Sequence, residues 1–331
     1  METIIRNFLN DKEIGYEEKV PMSQKTWIHR GPIVPFFIYP DNKEQLKEII
    51  LFFSANGIRY KIVGHTSNLY FKPTYIIDAI ISTSKLSSFY EKDGNIICNA
   101  GVNISKLSQY AVNKGYSGFE GLVGLPGTVG AAVVNNSGCF NCVVSDLVVS
   151  VNALVKEQKG TILETDLKAE DLGFQHRSTS IKRGEYDAIL LEIKLKIYKA
   201  DNLEELKKVA LMNIEKRRIT QEGKANNLGS IFSGYKPRPI SLFTFGLKNL
   251  INVLIFRVRN HFCNQDSDFM HNRNRIILGL YGYKDIVTYV SPKNMNCFIW
   301  KDNNADMAFD RYIEFMHKYA DCGKLEIEIL Q

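Results

Sequence analysis

The chain has 331 residues, 45% hydrophobic and 24% charged, with 42 Lys and Arg against 36 Asp and Glu for a net charge of +6. That length predicts about two domains, and no run of ~18 uncharged apolar residues exists to span a bilayer, which argues against membrane insertion. The modest, dispersed positive charge suits anionic small molecules, and no aromatic-basic motif points to nucleic acid.

The N-terminus, METIIRNFLNDKEIGYEEK, has no long apolar stretch and carries several acids, so it does not read as a secretory signal; a cytoplasmic location is expected. Asp41 with Glu44 resembles a capping box opening a helix that runs to about Asn56, with Gly57 as its stop. RYKIV (59–63) reads as a short buried strand that delivers the chain into the turn-rich GHTSN (64–68). YIIDAIIS (75–82) and NIICNAG (95–101) are β-branched runs bounded by turn residues, hence strands. Ile104, Leu107 and Ala111 give an amphipathic helix over 103–113 that closes at Gly115. The alternation in DLVVSVNALV (146–155) and AILLEIKLKI (188–197) predicts strands with one buried face. LEELKKVALMNIEKRR (203–218) and MAFDRYIEFMHKYA (307–320) have helical spacing, and KLEIEIL (324–330) a terminal strand pattern. Residues 240–260 are apolar but interrupted by Gly246, Lys248, Asn249 and Arg257, which predicts a buried or interface helix. Helices and strands interleave, so the class is α+β or α/β.

Cysteines stand at 98, 139, 142, 263, 297 and 322. In a cytosolic chain they are expected reduced. Cys139 and Cys142 form C-x-x-C, but no second pair has ligand spacing, so no metal site is expected.

The informative stretch is 121–138, GLVGLPGTVGAAVVNNSG, with glycine at 121, 124, 127 and 130. Its spacing is wrong for G-x-G-x-x-G, and no phosphate-binding G-x-x-x-x-G-K-(S/T) occurs anywhere. Closely spaced glycines let a backbone approach a pyrophosphate and offer it N–H groups, but they equally suit a tight turn packed on a strand. Spacing alone leaves these two readings level.

The stretch resembles the G-(I/L)-P-G-T-V-G-G-A-x-x-x-N-A-G-A segment of the UDP-N-acetylenolpyruvoylglucosamine reductases (UDP-N-acetylmuramate dehydrogenases). An ordered series carries the resemblance further: VPMSQKTWIHRGP (20–32), VGHTSNLYF (63–71) at the position of G-G-G-S-N-L-L, and LGFQHRSTSIK (172–182) at F-x-Y-R-x-S-x-F-K. KRRITQ through NNLGSIF (216–232), then VSPKNMNCFIW (290–300), DMAFDRYIEFM (306–316) and GKLEIEI (323–329), complete it. The resemblance implies an α+β chain: a two-subdomain FAD-binding fold of the vanillyl-alcohol-oxidase (PCMH) type, followed by a smaller α+β substrate-covering domain. The implied division is an N-terminal extension (1–15), an FAD domain (16–200) and a C-terminal domain (201–331) with a divergent segment at 239–289.

It also implies chemistry: NADPH reduces FAD, which then reduces the enolpyruvyl group of a UDP-sugar in peptidoglycan precursor synthesis. Carried over position by position, Arg177 and Glu328 are the carboxylate-stabilising pair, with Glu326 the competitor of Glu328, and Ser230 is the proton donor. FAD contacts fall on Gly64, His65, Thr66, Ser67 and Asn68 in one loop, and on Gly124, Gly127, Thr128, Gly130, Asn136 and Gly138 in the other.

Several positions depart from the pattern. His65 and Thr66 stand where the family has bare glycine, and either crowd the pyrophosphate or add contacts to it. His176 replaces tyrosine, Glu222 replaces proline, the lysine is displaced to Lys236, and Asn294 or Asn296 stands in for a histidine. These changes cluster around the substrate, so a divergent flavoenzyme acting on another nucleotide sugar stays open. A non-catalytic flavin-binding homologue is the third reading, against which Arg177, Ser230 and Glu328 argue.

Overall fold

The structure is a computed structural model and describes every residue except 158–159, 224–225, 241–250, 252–253, 255–257 and 259–266. The helix expected over 240–260 therefore lies mostly outside the described residues, although Ile251, Leu254 and Val258 are helical and exposed.

Two sheets build the first part of the chain. One has four strands in the order Gly15–Pro21, Ile33–Tyr39, Ala79–Ser82, Tyr60–Val63, the first pair antiparallel and the others parallel. Helices Glu2–Asp11 and Lys43–Ala55 cover one face, burying Ile5, Leu9, Leu46, Ile49 and Phe53. The second helix starts one residue later than the sequence suggested. Asn42 is its cap and accepts from the Gln45 amide, while the Gln45 side chain accepts from the Asp41 amide. A reciprocal box forms, shifted by one position from Asp41 and Glu44.

The other sheet is antiparallel, with five strands in the order Ile162–Lys168, Val148–Lys156, Ala188–Lys196, Asn95–Asn99, Phe89–Lys92. Against it lie helices Ile104–Asn113, capped by the Asn103 side chain, and Val129–Val134, together with part of Leu203–Thr220. The helix Val129–Val134 starts within three residues of Pro126 and fits because Gly130 is bare: a Cβ there would lie 2.8 Å from that of Ala100. The strand expected over 75–82 is shorter, Ala79–Ser82, because Asp78 turns out to pair with Arg59.

The C-terminal part is built on an aromatic core of Phe298, Trp300, Phe309, Tyr312 and Phe315, carried by strand Cys297–Ile299 and helix Ala305–Tyr319. Edge-to-face and tilted ring pairs run through it at centroid distances of 4.8 to 5.2 Å, within the favourable range for such contacts. Ile28 and Tyr70 from the first part enter this core. The tail strand Glu328–Leu330 then runs back to pair in parallel with Leu69–Phe71, immediately beyond the 64–68 loop. The tail is thus the element that carries C-terminal side chains to the first part of the chain.

Candidate active site

Both glycine-containing loops expected to hold a cofactor meet in space. A Cβ on Gly64 would sit 2.5 Å from the Thr128 hydroxyl oxygen, and one on Gly127 3.3 Å from that of Ser67. Gly127 has φ of +121°, a backbone state that side chains rarely adopt. Thr128 is buried and caps Val129–Val134 through the Ala131 amide. Gly64, Ser67, Gly127 and Thr128 therefore form one junction of closely apposed backbone, the kind of cradle a bulky anionic cofactor requires.

The other residues of the two loops build scaffold. The Gly124 amide donates to the Ser105 hydroxyl, and the Gly130 amide to the Ala100 carbonyl. Gly138 starts a hairpin, and Asn136 donates to the Gln175 carbonyl while accepting from the Ser145 amide. Asn68 reaches outward, donating to the Glu326 carbonyl at 3.0 Å.

His65 and Thr66 do not simply crowd the cradle. Thr66 adopts left-handed backbone, with φ of +55°, and its buried hydroxyl accepts from the Trp27 amide at 2.8 Å. Its side chain is spent on anchoring the 26–30 segment. The His65 imidazole is half-buried and forms a hydrogen bond to the Gly127 backbone, tying one loop to the other. Burial holds its pKa below the ordinary value, and Lys106 pushes the same way. The folded protein therefore binds fewer protons here than the unfolded chain, and stability falls as pH drops through the ordinary histidine range. Between about pH 7.5 and about pH 5.5 the melting temperature should fall more in the native protein than in His65→Gln, which keeps an N–H but cannot titrate. Thermal melts across that range check it; parallel curves would remove His65 from this role.

Arg177 sits at the tip of a tight hairpin, where Gln175 and Ser178 exchange backbone hydrogen bonds of 2.9 and 3.1 Å. Its φ is +57°. Its guanidinium faces Glu326, with Nε 3.8 Å from the carboxylate. Beneath the tip, the half-buried Lys182 donates to the carbonyls of Arg177 and Glu326, each at 3.3 Å. Burial lowers the Lys182 pKa, against the opposing pull of Glu328 and Glu326.

Glu328 is placed differently. Its carboxylate is paired with Lys61 on the strand before the first loop. The structure thus sets Glu326 against Arg177 and Glu328 against Lys61, with Lys182 feeling both carboxylates. Ser230 ends the strand Asn227–Ser230, opposite Cys297. The next residue, Ile231, accepts from the Glu326 amide at 2.9 Å, so Ser230 and Arg177 approach the tail from two sides. Buried Asn296 pins this turn, accepting from the Phe232 amide and donating to its carbonyl. Asn294 supports Asn296 by accepting from its amide.

Lys61, Lys182 and Arg217 were not singled out from the sequence. Lys182 closes the quoted LGFQHRSTSIK segment, and Arg217 lies in KRRITQ, so both had a signal in the ordered motifs. Lys61 had none, being one cation on a short strand. Arg217 stacks on Phe140 at 5.2 Å and donates to the carbonyl of Gly121 and to Gln221. Glu222 accepts from Ser291, and Lys236 is exposed on a two-residue strand. His176 and Arg177 line, with Asn136 and the 138–143 hairpin, a cavity of about 340 Å³. Among the described residues no cluster of His, Cys, Asp and Glu could hold a metal ion, and no helix is long and apolar enough to cross a membrane.

Residues 34–166 match the FAD binding domain family. The chain is 30% identical over 224 residues to the UDP-N-acetylenolpyruvoylglucosamine reductase of Synechocystis sp., a match covering 67% of this chain and 69% of that one. It is 27% identical over 223 residues to the reductase of the same name from Prochlorococcus marinus, covering 67% and 74%. Among solved structures, the UDP-N-acetylenolpyruvylglucosamine reductase of Thermus caldophilus superposes with a TM-score of 0.64 at 19% identity, over 96% of this chain and 99% of that one. The architecture is that α+β FAD-binding fold, in agreement with the expectation from the sequence.

Proposed function

This chain belongs to the family of UDP-N-acetylenolpyruvoylglucosamine reductases and is a flavin-dependent oxidoreductase, and from that premise we propose that it uses NADPH to reduce UDP-N-acetylglucosamine enolpyruvate to UDP-N-acetylmuramate. The product serves peptidoglycan precursor synthesis in the cytoplasm. FAD, when bound, supplies the hydride chemistry between nicotinamide and alkene. The junction of Gly64, Ser67, Gly127 and Thr128 would hold it.

One observation carries the reading: the tail joins the Arg177 hairpin, the Ser230 turn and the first loop through the backbone of Glu326 and Glu328. Hydride addition to the enolpyruvyl group leaves negative charge next to the substrate carboxylate. Arg177 binds that carboxylate and stabilises the developing enediolate, as a fixed cation in a partly dry site does. Ser230 holds a proton for the adjacent carbon. Lys61 orients the Glu328 carboxylate through their ion pair, Lys182 anchors the tail by the Glu326 carbonyl, and Asn296 fixes the turn that presents Ser230.

The test is a pair of half-reactions on purified protein. A visible flavin spectrum should bleach anaerobically with NADPH and return on adding the enolpyruvyl UDP-sugar. Ser230→Ala should slow the return about 10²-fold and leave bleaching largely intact. Equal loss in both would take Ser230 out of its role. A second reading, reduction of another nucleotide sugar, is favoured by His176, an imidazole in place of a phenol on the cavity wall beside Arg177. Bleaching without recolouring by the enolpyruvyl compound would select it.

A further inference from the structure

We propose that Cys139 and Cys142 are a reversible oxidation site, forming a disulfide across the 138–143 hairpin on the wall of the Arg177 cavity. The inference stands on the hairpin itself and is independent of the substrate assigned above.

The two cysteines are direct register partners in an antiparallel pair, Cys142 opposite Cys139 and Val143 opposite Gly138. Only Phe140 and Asn141 separate them, both with positive φ, +49° and +65°. This is the type I′ turn, whose twist holds the strands face to face. Residues directly opposite have Cβ atoms about 4.5–5.5 Å apart, whereas a disulfide needs about 3.5–4.5 Å. Closure therefore draws the two Cβ atoms together by up to about 2 Å. A bond formed under such tension is readily reduced, as expected of a reversible bond rather than a structural one.

Both sulfurs have polar neighbours. The Gly121 amide donates to Cys142 Sγ at 3.2 Å, and the Gln221 side-chain amide to Cys139 Sγ at 3.7 Å. The Gly121 contact favours a thiolate at Cys142. Burial opposes this at Cys142, whose thiol is pushed up to about 11. Cys139 is the more accessible of the two and lines the cavity. It is accordingly the sulfur that meets the oxidant, and Cys142 the one that resolves. With a peroxide the steps balance. Cys139 thiolate attacks the peroxide oxygen and becomes a sulfenic acid as water (or hydroxide) leaves. Cys142 then attacks that sulfur, the S–S bond forms, and a second water leaves.

Among the described residues, two further cysteines are poorly placed for the same reaction. Cys98 and Cys297 are buried and not paired with one another, with Cys98 on the five-stranded sheet and Cys297 in the C-terminal core. The hairpin also touches helix Leu203–Thr220: its tip, Phe140, lies under Arg217 and Lys216 at 5.2 and 5.5 Å.

Hydrogen peroxide is added to the purified holoprotein, free thiols are blocked with N-ethylmaleimide, and the digest is read by mass spectrometry. The peptide holding 139–142 should be two hydrogens lighter and carry no label, and dithiothreitol should restore two labelled thiols. In Cys142→Ser the sulfenic acid at Cys139 has no resolving thiol, so a dimedone adduct should appear there and the bridged peptide should vanish. Two labelled thiols after peroxide would overturn the proposal. So would a sulfonic acid at Cys139 beside a labelled Cys142, or a bridge to any other cysteine.

Discussion

Arg177→Ala is expected to slow recolouring of the reduced enzyme by the enolpyruvyl UDP-sugar about 10²–10³-fold and to leave bleaching by NADPH within a few-fold. At φ +57° Arg177 occupies a region that costs a non-glycine residue about 1–2 kcal/mol. The surroundings hold it there: the Gln175–Ser178 pair, the Asn136 amide on the Gln175 carbonyl, and the Lys182 ammonium on the carbonyl of Arg177 itself. A cation fixed in this way stabilises charge that appears during the reaction with no reorganisation at that moment. Arg177→Lys should recover little, because a point charge on a flexible stem does not reproduce a planar fork. Arg177→Gly supplies a sharper contrast, since it removes the strain and should raise the melting temperature while losing the same half-reaction. Stopped-flow absorbance separates the two half-reactions. A similar loss in both would place Arg177 in cofactor binding instead.

How far this arrangement could be read in advance depends on the kind of residue. The ordered motifs led to the fold, and helical spacing at 104–113 and 203–218 led to helices Ile104–Asn113 and Leu203–Thr220. The six-residue helix Val129–Val134 was hidden because Pro126 and two glycines argue locally against it, and only tertiary contact with Ala100 makes it fit. Strands Gly15–Pro21 and Ile33–Tyr39 gave no clear signal, since their burial does not alternate simply and each carries a proline. The tail was misleading in another way. Alternation over 324–330 suggests one continuous strand with Glu326 and Glu328 on one side. The regular strand begins only at Glu328, and the chain before it bends to bond Ile231 and Asn68. That bend sends the two carboxylates to different cations, Arg177 and Lys61. Pairings across 149 and 267 positions of sequence carry no local signature, so neither partner could be read from spacing.

The strongest effect on the cofactor is expected at Gly64. In Gly64→Ala the added methyl would lie 2.5 Å from Thr128 Oγ1 and 2.9 Å from its Cγ2, inside any tolerable contact. Thr128 cannot easily yield: it is buried and its hydroxyl caps Val129–Val134. The two loops must therefore separate, at the cost typical of overpacking, about 1–3 kcal/mol. If the cofactor binds only the closed junction, that energy appears as about a 10–100-fold weaker FAD affinity. Thr128→Ala removes both offending atoms and leaves the Thr128 Cβ position, 3.3 Å away, as the nearest remaining contact. The double variant should then bind FAD more tightly than Gly64→Ala alone, even though Thr128→Ala by itself loses the helix cap. Fluorescence titration of the four proteins completes the cycle. Strict additivity would show that the two residues do not meet, and would remove the loop junction as the site of flavin binding.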